Sequence, residues 1–275
     1  MFHLENNTKS LDELVDELNS LIGLDKVKAV VSDMINLIKV SRLRADIGLP
    51  ETPVCYHIVF TGNPGTGKTT VARMLAEIYR ELGLVSQGHI VETDRAGLVA
   101  GFVGQTAIKV TEVVEKAKGG VLFIDEAYAL SRSNDSADFG KEAIDTLVKL
   151  MEDYRDDLIV IVAGYRDEMK CFIDANSGLA SRFVKFIDFP DYTIDELMEI
   201  FRLMCTKGGF LVSEAGLQAV RNTISKDMKN PKKFGNARGV RNYFERIVIK
   251  QANRLVKIES PDRFTLMTIE KEDCI

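Results

Sequence analysis

Gly62-Asn63-Pro64-Gly65-Thr66-Gly67-Lys68-Thr69 lies between an apolar run, Tyr56-His57-Ile58-Val59-Phe60, and an amphipathic one, Thr69 to Leu82. A glycine, four intervening residues and then Gly-Lys-Thr is the spacing of a phosphate-binding loop. Its place, directly after a strand pattern and before a helix pattern, is the context that spacing requires. The glycines let backbone N–H groups converge on phosphate oxygens, and the following helix turns its positive end towards them. Asn63, Pro64, Gly65, Thr66, Gly67 and Thr70 complete the cradle. Lys68 reaches the β- and γ-phosphates, where it also serves catalysis, and the Thr69 hydroxyl ligates magnesium. The stretch therefore predicts ATP and Mg2+ as ligands.

A second element matches the first. Val121-Leu122-Phe123-Ile124-Asp125-Glu126 is an apolar strand ending in two carboxylates. Asp125 is placed to hold the hydration shell of Mg2+, and Glu126 to orient and polarise water for attack on the γ-phosphate. Adjacent acids of this kind favour hydrolysis over transfer to a small acceptor. Further strand patterns at His89–Val91, Leu158–Ala163 and Val184–Ile187 alternate with helical ones such as Lys141–Met151 and Arg166–Ile173. Near-continuous apolar strands separated by helices predict a parallel five-stranded sheet covered on both faces, an α/β fold of the P-loop NTPase type.

The flanks read differently. Ser10 and Glu13 form a capping box before Leu11, Leu14, Val15 and Leu18, so residues 1–20 are read as an amphipathic helix. A second helix runs from Val27 towards Gly48-Leu49-Pro50. After Phe189-Pro190-Asp191 the strands are expected to stop. Thr193 and Glu196 form another capping box, and helices are predicted over Ile194–Thr206, Ser213–Lys226 and Arg238–Lys257, with a short β pattern at Phe264–Ile269. The division is therefore an ATPase domain at 21–190 and a small helical lid domain at 191–275.

Composition narrows the partners. The 275 residues carry 36 Lys and Arg against 41 Asp and Glu, a net charge of −5. That balance argues against bulk electrostatic binding to nucleic acid or to an anionic membrane. The N-terminus has no apolar run of a secretory signal, and no stretch approaches the ~18 apolar residues of a membrane span, so a cytoplasmic location is expected. Cys55, Cys171, Cys205 and Cys274 are scattered without ligand spacing, which predicts idle thiols. His57 and His89 fall within strands and are read as satisfied structural histidines.

Together TGNPGTGKTT, VLFIDEAYAL, VAGYRDEM, SRFVKFIDFPDYT and NARGVRN resemble the AAA+ ATPases, and within them the family containing red-type Rubisco activase and the stage V sporulation protein K-like proteins. The likeness runs from about Leu21 to Leu255. It implies a homo-hexameric ring, with nucleotide at subunit interfaces, that pulls a polypeptide through its pore. Phe102-Val103-Gly104 looks like the aromatic-hydrophobic-Gly pore loop that grips substrate, with phenylalanine where tyrosine is common. Arg182 resembles the arginine finger that reaches a neighbour's γ-phosphate, and Arg238 matches the second sensor, with Arg241 one turn further along. Ile22-Gly23-Leu24 resembles the segment around adenine. The first sensor departs from the family: Asn, Thr or Ser is usual, whereas this chain reads Gly164-Tyr165, leaving Tyr165 as either a hydroxyl donor or a structural ring. The polar loop Ser131–Asp138 is read as either a second pore-facing loop or a solvated connection.

The activase likeness implies release of inhibitory sugar phosphates from Rubisco under sugar-bisphosphate control. The sporulation likeness implies a sporulation- or secretion-related pathway with another protein substrate, and the two stay open. Two further rivals share the ATP site. A DNA-directed AAA+ ATPase would show a basic DNA-binding module, and a P-loop kinase would carry its lid within the α/β domain.

Overall fold

The computed structural model describes residues 9–50, 54–102, 104–131 and 139–275. The chain forms two compact units. The first holds Met1–Gly62 and Lys68–Phe189, and the second holds Asn63–Gly67 with Pro190–Ile275.

The first unit opens with α1 (Leu11–Asn19), whose Ser10–Glu13 capping box is formed in both directions and whose Leu14 and Leu18 are buried. It packs on α3 (Lys68–Glu81); α2 (Asp25–Asp46) lies between them in sequence. The remaining helices are α4 (Arg95–Leu98), α5 (Gln105–Ala117), α6 (Gly140–Asp153), α7 (Arg166–Asp174) and α8 (Ser177–Arg182). Between them run β1 (Ile58–Thr61), β2 (Ile90–Thr93), β3 (Gly120–Ile124), β4 (Leu158–Gly164) and β5 (Lys185–Asp188). All five pair in parallel, in the order β2-β3-β4-β1-β5. Every residue of β3 and β4 is buried, as expected of strands covered on both faces. In α6, Ala143, Ile144, Leu147, Leu150 and Met151 form one apolar stripe against that core.

A parallel sheet delivers all its carboxyl ends to one edge. Register places Thr61 beside Gly164 and beside Asp188, and Ile124 beside both Val162 and Thr93. The loop after β1, the acids after β3 and Tyr165 after β4 therefore leave the sheet on the same side.

The second unit contains α9 (Ile194–Lys207), β6 (Leu211–Val212), α10 (Glu214–Asp227), α11 (Pro231–Phe234), α12 (Asn236–Leu255), α13 (Arg263–Met267) and β7 (Thr268–Ile269). Two sequence expectations are corrected here. Strands do not stop at Pro190, because β6 and β7 pair in parallel. The pattern Phe264–Ile269 is also mostly helical. Asp262 caps it by accepting from the Thr265 N–H at 2.7 Å, which starts a helical turn and leaves only Thr268 and Ile269 extended. Gln251, buried on α12, fixes this segment by donating to the carbonyls of Leu266 (3.1 Å) and Thr268 (2.9 Å). Arg254 adds a 2.8 Å pair with buried Asp273.

Candidate functional site

The phosphate-loop stretch is held from both ends. In the first unit the Gly62 N–H donates to the Gly164 carbonyl at 3.1 Å, and Lys68 Nζ donates to the Gly62 carbonyl at 2.9 Å. Gly62 has φ +146°, and a Cβ built there would meet the Phe189 carbonyl oxygen at 2.3 Å, so only glycine fits. Within the loop, the buried Thr66 hydroxyl donates to the Asn63 carbonyl at 2.9 Å. Thr69 and Thr70 lie in the first turn of α3, where backbone N–H groups have no acceptor within the helix. The N-terminal turn of this 14-residue helix, preceded by a glycine-rich loop, is the donor set that a polyphosphate requires.

The acids after β3 are positioned by backbone. Asp125 donates its N–H to the Thr93 carbonyl at 2.9 Å and accepts from the Glu126 N–H through Oδ1 at 3.0 Å. Glu126 is exposed and sits at φ +47°, a left-handed conformation that costs a non-glycine residue energy and turns its side chain out of the strand line. The Glu126 carbonyl accepts from the Ala129 N–H at 2.8 Å, and the Ala129 carbonyl accepts from Arg95 at 2.7 Å. Among the described residues no group of three or more His, Cys, Asp or Glu could hold a metal ion. A hydroxyl and one carboxylate, with phosphate oxygens and water, suit Mg2+, which keeps much of its hydration shell.

In the second unit, Asn63–Gly67 rest on the start of α12. Ala237 donates its N–H to the Gly65 carbonyl at 3.2 Å, and Asn236 Nδ2 donates to the Pro64 carbonyl at 3.2 Å. Asp191 accepts from Asn63 at 2.9 Å and from Asn236 at 2.8 Å. The Tyr192 hydroxyl reaches the Thr66 carbonyl at 3.4 Å. A Cβ on Gly65 would come within 2.1 Å of the Gly235 carbonyl oxygen, so loop and helix start touch through bare backbone. Arg238, in the first turn of α12, is exposed, as is Arg241.

Residues 58–191 match the family described as "ATPase family associated with various cellular activities (AAA)", and residues 193–275 match the "AAA lid domain". The chain is 42% identical over 265 residues to Stage V sporulation protein K of Bacillus subtilis, covering 96% of this chain and 82% of that one. It is also 42% identical over 268 residues to the chloroplastic ribulose bisphosphate carboxylase/oxygenase activase of Cyanidioschyzon merolae, covering 96% and 91%.

The chain belongs to the AAA ATPase family.

It is accordingly a nucleotide-binding protein and an ATP hydrolase. Solved structures share the fold. The FIGL-1 AAA domain superposes with TM-score 0.63 at 16% identity over 93% of this chain and 80% of that one. A RuvB mutant of Thermotoga maritima superposes with TM-score 0.58 at 21% identity over 97% and 70%. No helix among the described residues is long and apolar enough to cross a membrane.

The other positions singled out in this AAA ATPase fall as follows. Phe102 is 72% exposed, and a Cβ at Gly101 or Gly104 would meet nothing within 4 Å, so the tip stands clear of the unit. Its base is fixed: buried Thr106 accepts from the Ala100 N–H at 3.1 Å, and Lys109 donates to the carbonyls of Ala96 (2.6 Å) and Val99 (3.1 Å). Val103 and residues 132–138 lie outside the described residues. Arg182 ends α8, half-buried, with Nη2 2.8 Å from a Glu152 carboxylate oxygen. Tyr165 stacks on the core, its ring 5.9 Å from that of Tyr128. Ile22, Gly23 and Leu24 form the turn into α2, with Gly23 and Leu24 both at φ +62°.

The four cysteines are free. Buried His57 is satisfied, with Nδ1 accepting from the Val160 N–H at 3.0 Å. His89 departs from expectation. Its Nε2 bonds the Lys116 carbonyl at 2.7 Å, but its buried Nδ1 finds no partner, because that nitrogen faces the tight backbone at Gly120. Sequence reasoning singled out neither Asp191, Asn236 nor Glu152. The Gly235-Asn236 pair, both suited to positive φ, marks the turn before the last long helix but reports neither the buried amide contacts nor Asp191.

Proposed function

We propose that this AAA ATPase is a Mg2+-dependent motor that assembles as a homo-hexamer and remodels a protein substrate. The observation that carries the reading is Phe102, an aromatic ring left exposed at the tip of a glycine-flanked loop whose base is hydrogen-bonded. An aromatic held in water has no folding role there, and it offers a broad, side-chain-tolerant grip on another chain.

The residues divide the work by their chemistry. The N–H groups of the loop and Lys68 bind and orient the polyphosphate. Thr69 and Asp125 would hold Mg2+, which when bound neutralises phosphate charge. Glu126 orients water and takes up its proton, and Arg182 neutralises charge developing at a neighbouring subunit's γ-phosphate. Arg238 reads the γ-phosphate within its own subunit. Ile22–Leu24 lie along the adenine, and Tyr165 supports the site through its ring.

For the substrate, the activase relative favours Rubisco inhibited by a sugar phosphate, with a sugar bisphosphate as effector. The sporulation protein, equally similar at 42% identity, favours a different protein. A Glu126→Gln ring loaded with ATP traps bound substrate, and mass spectrometry of the complex separates the two. The function itself is tested with inhibited red-type Rubisco and, in parallel, an unfolded casein probe. Phe102→Ala should keep ATP hydrolysis within about twofold and lose action on whichever probe the native ring processes. A Phe102→Ala ring that remodels at the native rate sinks the reading.

A further inference from the structure

Five side-chain hydrogen bonds tie together the phosphate loop and two segments that follow it by more than a hundred residues. The Asp191 carboxylate accepts from Asn63 and from Asn236, Asn236 Nδ2 also reaches the Pro64 carbonyl, and Asn236 Oδ1 accepts from the Tyr192 N–H at 3.0 Å. Asn236 is 1% exposed and sits at φ +51°. A buried amide with both ends used, in a backbone conformation that disfavours most side chains, is built for a purpose beyond filling space. The next residue, Ala237, bonds the Gly65 carbonyl, and Arg238 follows. The clasp therefore grips the loop by its carbonyls and by the Asn63 side chain.

We propose that Asp191 and Asn236 are positioning residues that hold the phosphate loop in its nucleotide-ready form and tie it to the first turn of α12, so that one clasp sets both ATP affinity and the placement of Arg238. The proposal rests on the reading that the loop binds ATP. A loop with several glycines has many conformations, and fixing it beforehand removes an ordering cost that ATP would otherwise meet. The link to α12 gives the loop a direct mechanical connection to the lid. Pulling on Gly65 or Pro64 moves residues 236 and 237.

The acceptor oxygen, rather than the charge, is what the clasp uses at position 191, since Oδ1 takes both Asn63 and Asn236 while Oδ2 only duplicates the bond from Asn63. Binding of a fluorescent ATP analogue should therefore weaken about tenfold in Asp191→Ala and stay within about threefold of native in Asp191→Asn. Asn236→Gly keeps the positive φ while losing the clasp, and should also weaken binding about tenfold. Hydrogen exchange at the Ala237 amide, slowed by nucleotide in the native chain, should lose that response in Asn236→Gly. If Asn236→Gly fails to fold, the pair at position 191 still decides. Native affinity in Asp191→Ala overturns the proposal, and so does equal damage in Asp191→Asn and Asp191→Ala. Lys68→Ala serves as the separate control. Should it too bind ATP with native affinity, the reading of the loop fails, whereas a loss there beside native binding in Asp191→Ala overturns the clasp alone.

Discussion

At the carboxyl edge of the five-stranded sheet, the chain leaves β1, β3 and β4 through short contiguous segments whose backbone does most of the work. Gly62 is admitted by a φ of +146°, Asp125 is hung from the Thr93 carbonyl, and Glu126 is turned outward by its own left-handed backbone. At the amino edge the working groups are side chains from separate elements. His57 and Cys55 precede β1, Arg182 precedes β5 and Glu152 ends α6. Their bonds span 30 residues (Arg182 to Glu152), 103 (Val160 to His57) and 127 (Cys55 to the Arg182 carbonyl). The first edge is specified by local sequence, and the second exists only once the sheet has formed. On the proposed ring reading, a mutation at the first should act on its own subunit's chemistry, whereas one at the second should act on a neighbour or on stability.

The sharpest way to break this contrast is to damage one residue on each edge and mix the products. Arg182→Ala should slow ATP hydrolysis by about 10³-fold, the scale of an arginine that neutralises transition-state charge. Glu126→Gln should slow it by at least about 10²-fold while binding ATP normally, since on the proposed reading it removes the group that takes the proton from water. Mixed in equal amounts, the two variants should hydrolyse ATP faster than either alone, because in the proposed ring the Glu126→Gln subunit would present an intact Arg182 to a neighbour with an intact Glu126. Steady-state phosphate release measures this. No recovery on mixing would place both residues in one subunit's site and erase the distinction between the edges.

A smaller effect is expected in stability. Burial, helped by the Arg182 charge, pushes the His57 imidazole down to about 4 from its usual 6.5. The neutral ring is also the form that accepts the Val160 N–H. Between pH 6.5 and about 4 the unfolded chain binds a proton at this position that the folded one does not, so stability falls as the pH is lowered through that window and is fully present above it. The difference amounts to about 3 kcal/mol across the window. Denaturant titrations of native and His57→Gln proteins should therefore converge as the pH drops from 7 to 4, with His57→Gln showing the flatter profile. Parallel profiles would mean that the ring accepts its proton without leaving the fold.

How much was legible follows the same line. The glycine spacing at 62–67 and the acid pair at 125–126 are contiguous, and each implies its own chemistry, so sequence alone led to them. Phe102 was singled out through the family resemblance, and the structure leaves its ring exposed. Asp191 and Asn236 were not legible, since a hydrogen-bonded clasp joining positions 63, 191 and 236 leaves no local period or spacing. The end of the chain misled for a related reason. Phe264–Ile269 is apolar and β-prone, but the Asp262 cap, a purely local device, turns most of it into helix, and only pairing with Leu211–Val212 keeps the last two residues extended. His89 likewise read as satisfied because no sequence pattern reports which ring nitrogen faces the tight backbone at Gly120.

The finest test concerns how the amino edge presents its arginine. Arg182 carries five N–H donors. Its neighbours in the same subunit engage Nη2 through Glu152 at 2.8 Å, and Nη1 through the Gly178 carbonyl at 3.3 Å and the Ser181 hydroxyl at 3.4 Å. Two donors remain for a phosphate, so the carboxylate can steady the guanidinium without blocking it. Glu152 itself is shared, with Arg155 at 2.8 Å on its other oxygen, and the two arginines hold its carboxyl below the usual range. Its side chain is 53% exposed, and a pair so exposed to water contributes little to stability. Glu152→Gln should therefore lower kcat only about two- to fivefold with KM for ATP unchanged, and it should add nothing to an Arg182→Ala background. An increase in kcat would instead make the carboxylate a competitor that the neighbour's phosphate must displace. In that case the amino edge would restrain hydrolysis in the proposed ring, the opposite of what a steadied guanidinium predicts.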